Sequence, residues 1–388
     1  MNLDITEAVA NKFDHTNWNT IKFSDLVENI VEKVVPRESG LEHYIGLEHL
    51  DSGSLHIRRF GKTESLKGDK LKIYKGDFIF AKRNSYLKRV AIADFDAVAS
   101  AHSLVLRAKP ENVLPEFLPF FLLSEIFWER AIEISVGSLS PTINWKVLAK
   151  QEFILPPKEQ QAEIAELLWI QDSLLQKKIS LLGKLNTLRR SMQKELYCKK
   201  DKVKLQNYAS IFGGFAFSSN AFKNSGTAVI KIKNIVEGKI LVDDVDNHIN
   251  EGQFTNIDKF KLSTDDLLIA MTGATLGKLG VVPEEFSGAY LNQRVGKLQI
   301  SEEVNRGFIY GICDSEFFLL ELNKYIGEGA QGNISSDDLA KCLVPKISTE
   351  DTNTYGNKFD DISSTKDCLK KDISNLTSLQ QSLIGQVF

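Results

Sequence analysis

The sequence repeats itself at half its length, and that constrains the fold more than any other feature. Tyr-Ile-Gly-Leu-Glu-His-Leu at 44–50 is matched by Val-Ile-Lys-Ile-Lys-Asn-Ile at 229–235, and KGDFIFAK at 75–82 by TDDLLIAM at 264–271. ASAHSLVL around His102 is matched by AYLNQRVGKL around Asn292, and VLAK at 147–150 by DLAK at 338–341. The four matches keep their order at offsets of 185, 189, 190 and 191 residues. A slow drift of this kind is what small loop insertions produce. The period is far longer than the roughly 20–50 residues of a solenoid repeat, so it marks two copies of a domain with its appendage. The length of 388 residues agrees, since about 150 residues per domain gives two or three domains.

Each copy begins with short strand-like runs bounded by turn residues. In the first these are KIYKGDFIFAK, RVAIADF and HSLVLRA; in the second, AVIKIKNI, DLLIAMTG, KLGVV and VGKLQI. A helix-like stretch follows in each, EFLPFFLLSEIFWERAIEI and RGFIYGICDSEFFLLELNKYI. Each copy closes on a long helix. After Pro156-Pro157, apolar residues recur at Ile164, Leu168, Leu175, Ile179, Leu182, Leu185, Leu188, Met192 and Leu196, in steps that place them on one face. The C-terminal stretch repeats this with Phe359, Ile362, Leu369, Ile373, Leu376, Leu379, Leu383 and Val387. About 40 residues at 1.5 Å each make a rod of roughly 60 Å. Spacings of seven in Leu168/Leu175/Leu182 and Leu369/Leu376/Leu383 are those of coiled-coil partners. The alternative is that each helix packs on its own domain.

The expected fold class is α/β in the mixed α+β sense: two similar domains in pseudo-two-fold arrangement, joined by two long antiparallel coiled-coil helices. The expected segments are 1–155 and 201–346 for the domains, and 156–200 and 347–388 for the helices. Apolar residues at 43% and charged residues at 26% are globular values. Four scattered cysteines, Cys198, Cys313, Cys342 and Cys368, make neither a disulfide scaffold nor a zinc ribbon and suit a reducing cytoplasm. The N-terminal stretch lacks the basic and apolar regions of a signal peptide, and no apolar run approaches the roughly 18 residues of a membrane span. The expected location is cytoplasmic, with no membrane contact.

Enzyme signatures are missing. The six histidines show neither H-E-x-x-H nor zinc spacing, and no G-x-S-x-G elbow is present. The Gly273–Lys278 stretch has its glycines four apart, and Leu279 stands where a phosphate loop needs a hydroxyl. IFGGFAF at 211–217 lacks the dinucleotide order, and no N/D-P-P-Y/F tetrapeptide occurs. His102 and Cys198 read as packing or surface residues. The expectation is a non-catalytic chain with no cofactor or metal of its own.

Charge is uneven. A net charge of −3 excludes a uniformly basic nucleic-acid binder but not a locally basic one. From Arg58 to Arg89 eleven basic residues meet three acids. A solvated face is one reading of such a run. The mixture of cations with polar and aromatic residues in KRNSYLKR also suits DNA, where Arg and Lys neutralise phosphates and Arg and Asn pair with base edges. The candidate DNA-binding residues in this copy are Arg58, Arg59, Lys82, Arg83, Asn84, Ser85, Tyr86, Lys88 and Arg89. In the second copy Lys231, Lys233 and Asn234 sit on a strand-like run. Thr272, Thr275 and Lys278 lie in the turn matching Arg83–Lys88, and Asn292, Gln293 and Arg294 follow. Two further polar stretches match in position: Ser138, Thr142 and Asn144, and Gln331 and Asn333. They either cap and turn the chain or touch DNA. The acidic run Asp243, Asp244 and Asp246 is expected to face away from phosphate.

Several of these segments resemble the specificity (S) subunit of type I restriction–modification enzymes. They are GGFAFSSNAF (213–222), VIKIKNI, DLLIAMTGATLGKLGVV (266–282) and LNQRVGKL (291–298), with GDFIFAKRNSYLKRVAI (76–92) and the junction FILPPKEQQAEIAELL (153–168). The likeness covers nearly the whole chain. It implies two target-recognition domains, each reading half of a split double-stranded DNA site, and a helix pair that fixes the gap. It implies docking of two methyltransferase (M) subunits, and of restriction (R) subunits in the full complex. S-adenosylmethionine would belong to M, and ATP with magnesium to R. The second junction, CLVPKISTEDTNTYG, lacks the double proline and glutamine pair of the first. Two other classes compete: a coiled-coil scaffold whose basic patch is incidental, and a stand-alone nuclease or methyltransferase, against which the missing motifs count.

Overall fold

The computed structural model describes residues 15–242, 247–326 and 332–388. Its contacts divide the chain into two compact units, residues 1–179 with 371–388, and residues 180–370.

In the first unit six strands, β1 (Val27–Ile30), β2 (His43–Ile45), β3 (Phe78–Ala81), β4 (Val90–Ile92), β5 (Ala97–Ala99) and β6 (Ser103–Ala108), carry the framework. An antiparallel sheet runs in the order β1-β6-β3-β4, and β2 lies parallel to β5 in a second, five-stranded sheet. In the second unit β7 (Ala209–Gly213), β8 (Thr227–Ile230), β9 (Leu267–Ala270), β10 (Leu279–Val281), β11 (Tyr290–Leu291) and β12 (Val295–Ile300) repeat it. The order is β7-β12-β9-β10, extended by two short strands, and β8 is parallel to β11. The central strands FIFA (β3) and LLIA (β9) are buried at every position. Their continuous apolar runs, without alternation, follow from cover on both faces.

The backbone also corrects the repeat. Ser100 donates its amide to Ile45 O at 2.9 Å, and Asn292 donates to Ile230 O at 3.1 Å. Asn292 is therefore the counterpart of Ser100, and Arg294 that of His102, an offset two residues longer than the sequence match. A slip of two leaves every strand side chain on its proper face, so hydropathy alone does not detect it.

The single helix expected after the strands of each copy is two. Leu118–Leu123 is followed by Glu125–Glu133, and Arg306–Cys313 by Glu316–Leu322. The break is a serine in both copies. Ser124 Oγ accepts from Phe127 N at 3.3 Å and Ser315 Oγ from Phe318 N at 3.1 Å. Each side chain thus supplies an acceptor to the first turn of the following helix.

The long helices are Lys158–Cys198, of 41 residues, and Thr349–Val387, of 39. They are not separate modules, because each unit owns part of both. In the first unit Ile164, Leu168, Leu383 and Val387 complete a core rich in Phe and Trp, including Phe80, Phe121, Phe127 and Trp128. In the second, Met192, Leu196, Phe359 and Ile362 pack with Phe308 and Phe318. The helices also pair side by side within each unit. Gln171 Nε2 donates to Leu376 O at 2.7 Å, and Lys178 lies 2.8 Å from Asp372. In the second unit Arg189 Nη1 donates to Ser363 Oγ at 3.3 Å, and Tyr355 donates to Glu195 at 2.6 Å. Partners descend along one helix as they ascend the other, so the pairing is antiparallel. Leu188, expected in the stripe, is half exposed.

Close approach explains a glycine in the second unit. A Cβ on Gly311 would sit 2.2 Å from the Phe359 ring. Gly311→Ala should therefore push the C-terminal helix off its seat and cost about 1–3 kcal/mol. Urea unfolding followed by far-UV circular dichroism should show a lower midpoint; an unchanged midpoint would mean that the helix is not clamped there.

Candidate nucleic-acid interface

The site is built by a backbone clasp that occurs in both units. After β3 the chain turns through Ser85–Leu87 and returns as β4; after β9 it turns through Gly273–Thr275 and returns as β10. Both turns need two left-handed residues. In the first unit these are Asn84 (φ 55°) and Lys88 (φ 46°), and at the matching positions of the second Gly273 (φ 71°) and Gly277 (φ 79°). Glycine takes this conformation freely, and Asn tolerates it better than most residues. A Cβ on Gly277 would also meet Leu319 at 2.5 Å.

Each turn is held by the polar stretch that follows the helices. Arg83 bridges Thr142, and Ile143 donates its amide to Lys82 O at 2.8 Å. Thr272 bridges Asn333, and Ile334 donates to Met271 O at 3.0 Å. Met271 also donates to Arg294 O at 3.0 Å. The structure thus gathers 82–89 with 138–144 in the first unit, and 272–278 with 292–294 and 333 in the second. Gln331 and the acidic run Asp243, Asp244 and Asp246 lie outside the described residues.

Individual side chains divide into exposed and engaged. Arg83, Tyr86, Ser138, Lys278, Gln293, Arg294 and Asn333 are exposed. Thr142 and Thr275 donate their hydroxyls within the turns, to Ser140 O and Thr272 O. Lys88 pairs with Glu125. Lys82 is half-buried, and burial pushes its ammonium down from the ordinary value. Arg89 donates to Leu47 O at 2.7 Å, and burial lowers it too.

Asn144 takes the capping role, one of its two readings, accepting from Lys146 N at 2.9 Å. Three expectations change. Ser85 is buried, so it supports the turn and cannot meet a ligand. Asn234 is buried and lies with Lys233 in a turn, not on a strand. Its Oδ1 accepts from Lys231 N at 2.8 Å and its amide donates to Leu241 O, while Lys231 stacks over the Phe222 ring at 3.3 Å. Asn292 is also buried and serves its own turn. The basic run is not a single patch either. Arg58 and Arg59 both approach Asp51, and Arg58 donates to Gln176 on the central helix at 2.9 Å, while Lys72 lies 3.5 Å from Glu32.

The sequence reading missed the tip of the first clasp. Val136 and Thr142 exchange backbone hydrogen bonds of 3.0 and 2.9 Å, closing a hairpin whose tip carries Leu139, 93% exposed. An aliphatic residue inside Gly-Ser-Leu-Ser-Pro was the available signal. Chemically, the clasps offer cations, amides, hydroxyls and an apolar tip. Among the described residues no cluster of three or more His, Cys, Asp or Glu could hold a metal, and no helix is long and apolar enough to cross a membrane.

Known proteins share this architecture. The type I restriction modification DNA specificity domain family matches residues 16–184 and 199–375. The MjaVIII specificity subunit of Methanocaldococcus jannaschii, a type I restriction enzyme chain, is 21% identical across 95% of this chain and 91% of its own length. The EcoDI specificity subunit of Escherichia coli is 27% identical, across 45% of this chain and 40% of that one. The crystal structure of the type I restriction-modification S subunit from M. genitalium superposes with a TM-score of 0.62 at 17% identity, covering 97% of this chain and 98% of that one. With two matched regions spanning well over half its length, the chain belongs to the type I restriction–modification DNA specificity family.

Proposed function

We propose that this chain reads a bipartite DNA site, one half with each unit, and leaves the chemistry to its partners. The observation that carries this is the clasp made twice on the same backbone with different side chains. Arg83, Tyr86 and Arg89 occupy positions that Thr272, Thr275 and Lys278 hold in the second copy. A shared frame keeps the approach to the groove constant, and side-chain differences change which base edges are met. The exposed cations supply phosphate contacts that set register without reading sequence. Adenine methylation, with S-adenosylmethionine, would lie in two M subunits, one per copy. ATP- and magnesium-dependent cleavage would lie in R subunits, and this chain would be non-catalytic.

The long helices would set the spacing between half-sites, because a rod converts residues into length at about 1.5 Å each and one DNA turn spans roughly 34–36 Å. Inserting about one helical turn into both helices should change the gap and leave both half-site sequences intact. Co-expression with a methyltransferase subunit, followed by mapping of methylated adenines, reads this out. A continuous target, or an unchanged gap after the insertion, would refute the ruler.

Replacing Arg83 and Lys88 together with Ala should weaken binding to the first half-site by about 1–3 kcal/mol if either residue reads a base. Fluorescence anisotropy at matched salt measures it, and unchanged affinity would remove this clasp from the interface. An incidental basic patch, by contrast, gives no steep salt slope.

A further inference from the structure

The second unit holds a cavity of about 770 Å³ between the Ser180–Cys198 part of the central helix, the C-terminal helix and the edge at Gly238–Lys239. That volume is in the usual range of small-molecule sites, about 300–1,000 Å³. Six basic and four acidic side chains line it, a surplus of two positive charges. Three of the acids are already engaged. Glu237 accepts from Lys370 at 3.0 Å, Asp367 lies 3.6 Å from Lys239, and Asp314 lies 2.8 Å from Arg189 Nη2.

Two of the cations have no acid of their own. Arg189, only 7% exposed, is held in the cavity wall. Its Nη1 donates to Ser363 Oγ at 3.3 Å, its Nη2 lies 2.8 Å from Asp314, and its guanidinium lies over the Tyr310 ring at 5.4 Å. Its Nε lacks a hydrogen-bond partner but is buried out of reach of the cavity, so Arg189 contributes charge there and not a contact. Lys278 and Lys366 have no ion pair among the described residues. Burial, and then the Arg189 charge, pushes the Lys366 ammonium down, against the opposing pull of Asp314 and Asp367.

We propose that this cavity binds a phosphate-bearing small molecule of two or more negative charges, held by Lys278 and Lys366 with the Arg189 charge behind them. Ammonium groups pair with phosphate oxygens as point charges. The half-buried Lys366 favours a free ligand over the backbone of a duplex, which of these three side chains only Lys278 is exposed enough to meet.

Isothermal titration of the full chain with pyrophosphate, at low salt, tests this. Saturable one-to-one binding is expected, at least tenfold weaker in Lys366→Gln. Because Lys366 has no ion pair to lose, that variant should keep its melting temperature; should it not, the exposed Lys278→Gln serves instead. Lys75→Gln, an equal change of net charge in the first unit, should leave binding as it was. Absence of saturable binding at millimolar pyrophosphate, or equal weakening by Lys75→Gln, would overturn the proposal.

Discussion

A long helix with one apolar stripe is stable in water only if something covers the stripe. In each unit the cover has two parts, the globular core and a segment of the other long helix. The seam is not purely apolar. In the first unit Asp172 is buried at the helix pair, where its Oδ2 is 2.7 Å from His56 Nε2 and its Oδ1 accepts from Gln380 at 3.3 Å. In the second, buried Gln193 donates to the carbonyls of Gly311 and Asp314, both at 2.7 Å. Such groups add little net stability, because their desolvation offsets their hydrogen bonds. A slipped register would strand them without partners, so they discriminate against misaligned pairings in a way that leucines cannot.

That division of labour explains what the sequence showed and what it hid. The stripes at Leu168, Leu175, Met192 and Leu196 were legible because helical periodicity is local, and the two copies because β3 and β9 keep the same run of buried residues. The clasp was legible only in part. Polar stretches at 138–144 and 331–335 stood out by composition, but nothing in composition says that Thr142 meets Arg83. The exposed aliphatic Leu139 was passed over for the same reason. Ser124 and Ser315 read as interior helix residues until their hydroxyls are seen taking the amides of Phe127 and Phe318. Ser85 and Asn234 looked like contacts because they are polar. Their burial is set by residues far away in the chain, as is the capture of Arg58 by Gln176.

The paired turns show how duplication separates frame from chemistry. After β2 and β8 a turn is closed in each copy by a side-chain acceptor. His49 Nδ1 takes the amide of Gly46 at 2.9 Å, and Asn234 Oδ1 takes that of Lys231 at 2.8 Å. The first must be an imidazole unprotonated at Nδ1, yet the backbone it supports is the same. At the clasp the contrast runs the other way. The second copy meets its two left-handed positions with glycine, while the first holds Asn84 and Lys88 there, against a penalty of roughly 1–2 kcal/mol for an ordinary L-residue. Lys88 keeps its charge on the turn at that expense, next to Glu125 and one residue from Arg89. A backbone that accepts both solutions leaves its side chains free to diverge at the turns, while the strands that lead into them, β3 and β9, stay buried at every position in both copies.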